Sequence, residues 1–390
     1  MHKRIKNIKL KIKNNPYANF LIPSYRKINK IVKKISNEII RITRIPIYNF
    51  LYYRSFERKA YKGIMDIFEN DYFDFPKLIF FDLGARSDIP KNLRPYKSAL
   101  EIIGFEADKI ECKRLNESNT SNAKFFPYVI GTGEKEYFLK TALVAASGVT
   151  ETNNIFLKRL NSSIQNNLEV IKKTKLQTIT LNNLIEHNKI PLPDFIKLDL
   201  EGYEADVLEN SSMCFGENFL GLYTEIAFGC LKNPDNFARI DILCRKNNLH
   251  LYDINLNARS PRKVLEKRYK FKNGLAYEVD EAYGQRIGGD ILYLRDPIND
   301  YHNKVDFNWN DDNVIKLLLI YESYDLNDCA IELLDFYGKM FKTNLPTEKL
   351  KNLLVPRRYN PYCLSYEAYI ESLKNIHGNE QRYSKSRIKT

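Results

Sequence analysis

Residues 194–211 read DFIKLDLEGYEADVLENS. Phe195, Ile196 and Leu198 form a short apolar run that ends at Asp199. Beyond Gly202 the apolar residues Ala205, Val207 and Leu208 take up a helical spacing. A buried strand therefore passes into a helix within a few residues. Three acids, Asp199, Glu201 and Glu204, gather at the junction. Burying them without partners is costly, so they are expected to line a cleft or to cap the helix.

The same alternation extends on both sides. Apolar runs occur at 77–84, 99–108, 123–131, 194–202, 219–228, 249–256 and 289–296, with helical patterns at 108–118, 180–189, 203–211 and 235–247. Strands alternating with helices indicate βαβ units and a mainly parallel sheet. Residues 257–288, charged and aromatic, form an insertion before the last strand. After Pro297 two helical stripes appear, one with Val314, Leu317, Leu318 and Tyr321, the other with Leu326, Ala330, Leu333, Leu334 and Tyr337. The expected layout is a basic helical segment over 1–70, a main domain over 71–297, a helical appendage over 298–375 and a frayed tail over 376–390.

Acids stand at the ends of other strands too. FFDLGARSD places Asp82 at a strand end and Gly84 in the turn, where glycine lets the backbone approach a ligand. IIGFEAD ends a strand at Glu106, which lies 24 residues after Asp82. A carboxylate about 20 residues beyond a glycine turn suits the two hydroxyls of a ribose. A full GxGxxG loop is missing, which favours a nucleoside ligand without a pyrophosphate. LYTEIAF brings Glu225 to the next strand end, beside Asp199. Ser147 and Gly148, in a polar loop at 144–154, are candidates for contact with cofactor or substrate. His187 and His250 read as structural or surface residues.

The 390 residues carry a net charge of +13. Residues 1–46 hold 13 Lys/Arg against Glu38 alone, so the rest of the chain is nearly neutral. That weakens any nucleic-acid reading of the main body. Within 24–45, Ile28, Ile31, Val32, Ile35, Ile39 and Ile42 share one helical face and lysines and arginines the other. Such a helix suits an anionic membrane surface, a partner, or the flank of the domain itself. No apolar stretch reaches the roughly 18 residues of a membrane span, and the N-terminus lacks the core of a signal peptide. The expectation is a cytoplasmic protein, peripheral at the inner membrane face. The six cysteines form no CxxC pair, which argues against a structural zinc site.

FDLGAR, GFEAD, TLNNLIEHNKIPLPDFIKLDLEGYEADVLENS and LYTEIAF together resemble the FkbM family of S-adenosylmethionine-dependent methyltransferases. The resemblance covers about residues 75–256 and the strand near 289–296. It implies the class I methyltransferase fold, a Rossmann-like seven-stranded sheet with one antiparallel strand at the end. It also implies S-adenosyl-L-methionine as cofactor, with Asp82, Gly84, Glu106 and Asp199 in its site. Asp199 becomes the first candidate for base or metal ligand, with Glu204 and Glu225 behind it. A divalent metal on Asp199 and Glu225 stays open. One departure stands in the first motif, where Arg86, Ser87 and Asp88 replace the usual second glycine. The function implied is O-methylation of a sugar hydroxyl in a glycan or glycolipid precursor. The rivals are a methyltransferase fold acting on RNA or another small molecule, and a non-catalytic scaffold.

Overall fold

LIFFDL at Leu78–Leu83 is apolar on both faces, as a strand covered on each side must be, and it occupies the middle of the sheet. The computed structural model describes residues 64–65, 76–86, 89–118, 122–187, 189–227, 231–232, 235–265, 269–272, 275–278, 284–355 and 365–371. The chain divides into two units, 1–63 and 64–390. The amphipathic helix expected over 24–45 and the tail 376–390 lie outside the described residues.

The strands are β1 (Leu78–Leu83), β2 (Leu100–Phe105), β3 (Ala123–Phe126), β4 (Lys135–Thr141), β5 (Val170–Gln177), β6 (Phe195–Leu198), β7 (Gly221–Ala227), β8 (His250–Ser260), β9 (Tyr269–Lys272), β10 (Leu275–Glu278) and β11 (Gln285–Leu294). The helices are α1 (Lys109–Ser118), α2 (Asn154–Leu157), α3 (Ser162–Asn167), α4 (Leu181–Glu186), α5 (Glu204–Glu209), α6 (Asn236–Lys246), α7 (Pro297–His302), α8 (Asp311–Ser323), α9 (Asn327–Met340) and α10 (Thr347–Leu354).

Seven strands form one sheet in the order β3-β2-β1-β6-β7-β11-β8. All neighbours are parallel except β11, which runs antiparallel to both β7 and β8. This is the class I methyltransferase arrangement. The antiparallel strand comes last among the sheet strands along the chain but lies one place in from the sheet edge. Chain order reverses between β1 and β6, and such a switch point opens a crevice at the carboxyl ends of the strands.

Each strand feeds two cores. Phe80, Leu100, Phe195, Leu220 and Leu292 pack on one side with α8, α9 and α10. Phe81, Leu83, Ile196, Leu198 and Leu222 pack on the other with α4, α5 and α6. Thr180 caps α4 by accepting a hydrogen bond from the Asn183 N–H. The segment after Pro297 is thus part of the main core, not an appendage beside it. α8 is buried nearly all round, from Val314 through Tyr321. Its one lysine, Lys316, reaches the buried Asp194 at 2.8 Å, and Asp194 also accepts the N–H of Ile79 on β1. The interval between β3 and α4 holds more than a polar loop, since β4 and β5 pair antiparallel there. Among the described residues of the insertion expected at 257–288 most are strand: β8 and β11 extend into it, and β9 pairs with β10. Among the described residues no helix is long and apolar enough to cross a membrane.

Candidate active site

Strand register decides which side chains meet. Asp82 on β1 lies opposite Lys197 on β6, so the two emerge side by side. The Lys197 ammonium stands 3.0 Å from Asp82 Oδ1 and 3.5 Å from Asp199 Oδ2. Burial opposes a charge on Lys197, but the two carboxylates overturn this and hold it above its ordinary value. Burial pushes the Asp82 carboxyl up, and Lys197 pulls it back.

Gly84 turns the chain out of β1 with φ +84°, a conformation that side chains rarely adopt. A Cβ there would lie 2.2 Å from the carbonyl oxygen of Asp199. The Asp199 N–H in turn donates to the Leu83 carbonyl at 3.1 Å, so the ends of β1 and β6 are locked together. On the other side of β1, the Gly84 and Ala85 N–H groups donate to the Phe105 carbonyl. Glu106 follows. One carboxylate oxygen accepts the Asp108 N–H at 2.7 Å. Burial pushes this carboxyl up, while that N–H and the nearby Arg86 pull it down.

These residues border a cavity of about 330 Å³. One end is set by Glu106, Ala107, Tyr128, Val129 and Ile130, the other by Lys197, Asp199, Leu200 and Glu201, with Gly84 and Phe105 between. Tyr128 stacks on Phe126 at 5.8 Å, and Phe126 stacks on Phe105 at 5.9 Å, which fixes an aromatic wall. The roof comes from β4 and the loop after it: Phe138, Val144, Ala145, Ser147, Gly148 and Val149. Ser147 holds this roof in shape, because its hydroxyl accepts the Thr141 N–H at 3.1 Å.

The expected site residues divide into three groups. Gly84, Glu106 and Asp199 line the cavity. Asp82 lies behind it, 4% exposed, and acts on it through Lys197. Glu204 is fully buried and does not line the cavity. Its Oε1 accepts the N–H groups of Leu200 and Gly202 at 2.8 and 3.1 Å, and its Oε2 accepts Asn236 Nδ2 at 2.7 Å. It braces the turn that carries Glu201 and Gly202, both at positive φ. His187 and His250 bond elsewhere, to the Asn183 carbonyl and to Asn299, and line no part of the cavity.

Glu225 meets Asp199 and Glu201: one carboxylate oxygen from each lies within 4.8 Å of the others. Lys232 neutralises Glu201 at 2.5 Å. Among the described residues no ion pair is formed by Glu225, and Lys232 only partly offsets the charges around it. Burial, and then the charges of Glu201, Glu204 and Asp199, push its carboxyl up to about 9. Burial and three neighbouring carboxylates thus favour a proton within this cluster, and a protonated carboxyl donates a hydrogen bond but cannot act as a base. Three carboxylates so close also form a set that oxygen-seeking cations accept, although Lys197 and Lys232 already supply two positive charges.

Residues 83–222 match the family model for the methyltransferase FkbM domain. This stretch is an FkbM methyltransferase domain. It contains Gly84, Glu106, Lys197, Asp199 and Glu201, while Glu225 lies just beyond the matched residues. No curated protein matches the chain. Solved structures similar to it include precorrin-6y C5,15-methyltransferase from Geobacter metallireducens GS-15, at 8% identity over 57% of this chain and 81% of that one, with a TM-score of 0.26. Magnesium protoporphyrin IX methyltransferase from Synechocystis PCC 6803, solved with bound SAM, is 6% identical over 60% of this chain and 76% of that one, with a TM-score of 0.26.

Lys197, Tyr128, Phe138 and Tyr203 also line the FkbM domain's cavity and were not singled out from the sequence. Lys197 had a signal, a lysine inside an otherwise apolar strand two residues before Asp199. Phe138 had none, because its strand is bounded by Lys135, Glu136 and Lys140, so it reads as surface.

Proposed function

We propose that this chain is an S-adenosylmethionine-dependent O-methyltransferase whose acceptor is a sugar hydroxyl in a glycan or glycolipid precursor. The observation that carries this reading is the two-ended cavity. Its Glu106 end suits a nucleoside: a carboxylate for the ribose diol beside an aromatic and apolar wall for the base. Its Asp199 end suits a hydroxyl-rich acceptor, since carboxylates accept several hydrogen bonds and donate none. When bound, the cofactor supplies an electrophilic methyl group. The protein's own part is to place the acceptor oxygen in line and to remove its proton. Asp199 is the group for the proton. Its side chain is 49% exposed, it borders the cavity, and Lys197 holds it from behind.

The same end disfavours RNA, because the Asp199 and Glu201 carboxylates would face a phosphate backbone. Residues 1–46, with their excess of basic residues, supply the affinity for an anionic membrane, which suits a lipid-linked acceptor. The test is to incubate the full chain with methyl-labelled cofactor and either cell-envelope extract or total RNA. The expected label is in a glycolipid or glycan fraction, as a methyl ether that resists mild alkali. Label in RNA, or alkali-labile label, overturns the reading.

A further inference from the structure

The charged end of the cavity holds a cation that methyl transfer itself does not require. Lys197 lines the cavity with its side chain 18% exposed. It has three donors, and two carboxylates, Asp82 and Asp199, lie at 3.0 and 3.5 Å. Neutralising Asp82 alone is a weak reason for such a group. A buried ion pair commonly adds little over apolar residues of the same volume. Its position is more informative. The cavity has two cations along its described lining, Arg86 and Lys197. Arg86 acts on Glu106 and Glu111, at the nucleoside end. Lys197 is the cation at the other end, beyond Gly84, which carries no side chain between the two ends.

We infer that Lys197 recognises the α-carboxylate of the cofactor's amino-acid end, and so distinguishes an adenosyl amino acid from a plain nucleoside thioether. This rests on the reading that the cavity binds S-adenosylmethionine. A nucleoside at the Glu106 end extends its 5′ substituent past Gly84 toward β6. That substituent ends in a carboxylate, which needs a cation in a partly desolvated place. Asp82 and Asp199 keep Lys197 charged and hold its stem, so the ammonium is oriented before the ligand arrives.

The experiment is calorimetric binding of two ligands with the same nucleoside and sulfur, S-adenosylhomocysteine and 5′-methylthioadenosine. The wild-type protein should bind S-adenosylhomocysteine more tightly. Lys197→Met should weaken that ligand tenfold or more and change methylthioadenosine by less than threefold. Lys197→Arg should recover part of the loss. If Lys197→Met does not fold, because Asp82 is left buried without a cation, the comparison of Asp82→Asn with Asp82→Asn/Lys197→Met isolates the same contact. Equal weakening of both ligands, or of neither, overturns the assignment while leaving the cofactor reading intact. A folded wild-type protein that binds neither ligand overturns both.

Discussion

Glu225→Gln tests the charge state of the acidic cluster. In the folded protein this carboxyl is pushed up to about 9, whereas an unfolded glutamate titrates near its ordinary value of about 4.3. Between those limits the folded state binds one proton more than the unfolded state. Stability therefore falls as pH rises through that window, by at most about 1.36 kcal/mol per pH unit. From pH 5.5 to pH 8 the ceiling is about 3.4 kcal/mol by that slope. Interaction among the three carboxyl groups spreads the titration, and about 1–3 kcal/mol is the expected effect. Glutamine stays neutral at every pH and keeps a donor in place. Glu225→Gln should thus gain about 1–3 kcal/mol on wild type between pH 5.5 and pH 8, seen as a shift of several degrees in relative Tm. Urea denaturation of both proteins at the two pH values gives the difference directly. Parallel profiles would show that Glu225 is ionised in the native state and refute the reasoning. Millimolar Mg²⁺ should leave the wild-type profile unchanged. A slope abolished by Mg²⁺ would put a cation, not a proton, in the cluster. Turnover of Glu225→Gln at neutral pH should stay within about tenfold of wild type, since loss of a true general base costs about 10²–10⁴.

Asp199→Asn keeps size and removes charge. Turnover should fall about 10²-fold or more while cofactor affinity changes little, and near-normal turnover would remove Asp199 as the base. Glu106→Ala should weaken S-adenosylhomocysteine by about 1.5–3 kcal/mol in calorimetry, the scale of hydrogen bonds to a charged group. Gly84→Ala must displace the Asp199 carbonyl, so it should lower both Tm and turnover, with at least about 1–2 kcal/mol from the backbone conformation alone. Deleting residues 1–46 should abolish binding to anionic vesicles and leave cofactor binding intact. Retained vesicle binding would place the membrane contact elsewhere.

The seven apolar runs read from the sequence correspond to the seven strands of the main sheet. Strands such as β1 and β6 are covered on both faces, so their residues are apolar without interruption and the signal is strong. β5 went unread because it is mostly exposed and rich in lysine, which is how a loop also looks, and β4 because it is only partly buried and carries charged residues near both ends. The helix α8 was legible as a helix but not as a central one. Its wheel shows a stripe, and only the tertiary pairing of Lys316 with Asp194 lets its charged side be buried as well. In the site, acids at strand ends were legible because a parallel sheet collects them along one edge. Their separate roles were not. Glu204 sits three residues beyond Glu201 in the chain, yet the left-handed pair Glu201 and Gly202 reverses the backbone so that its carboxylate is spent on N–H groups. Asp82 is likewise screened from the cavity by a lysine supplied from another strand.

The burial of α8 against the sheet has a consequence for how the chain is made. The helix is synthesised long after β1, and until it arrives Phe80, Phe195 and Leu292 have only the earlier residues such as Leu93, Tyr96 and Leu115 to pack with on that side. A nascent chain halted near Pro297 would hold every strand of the sheet and still present a broad sticky face, with Asp194 lacking its lysine. The portion matched at 83–222 is therefore not a portable module. Fragments cut at either of its borders are expected to aggregate or to recruit chaperones. Among the described residues, those after Pro297 line no part of the cavity, yet they cover one side of the sheet that carries it.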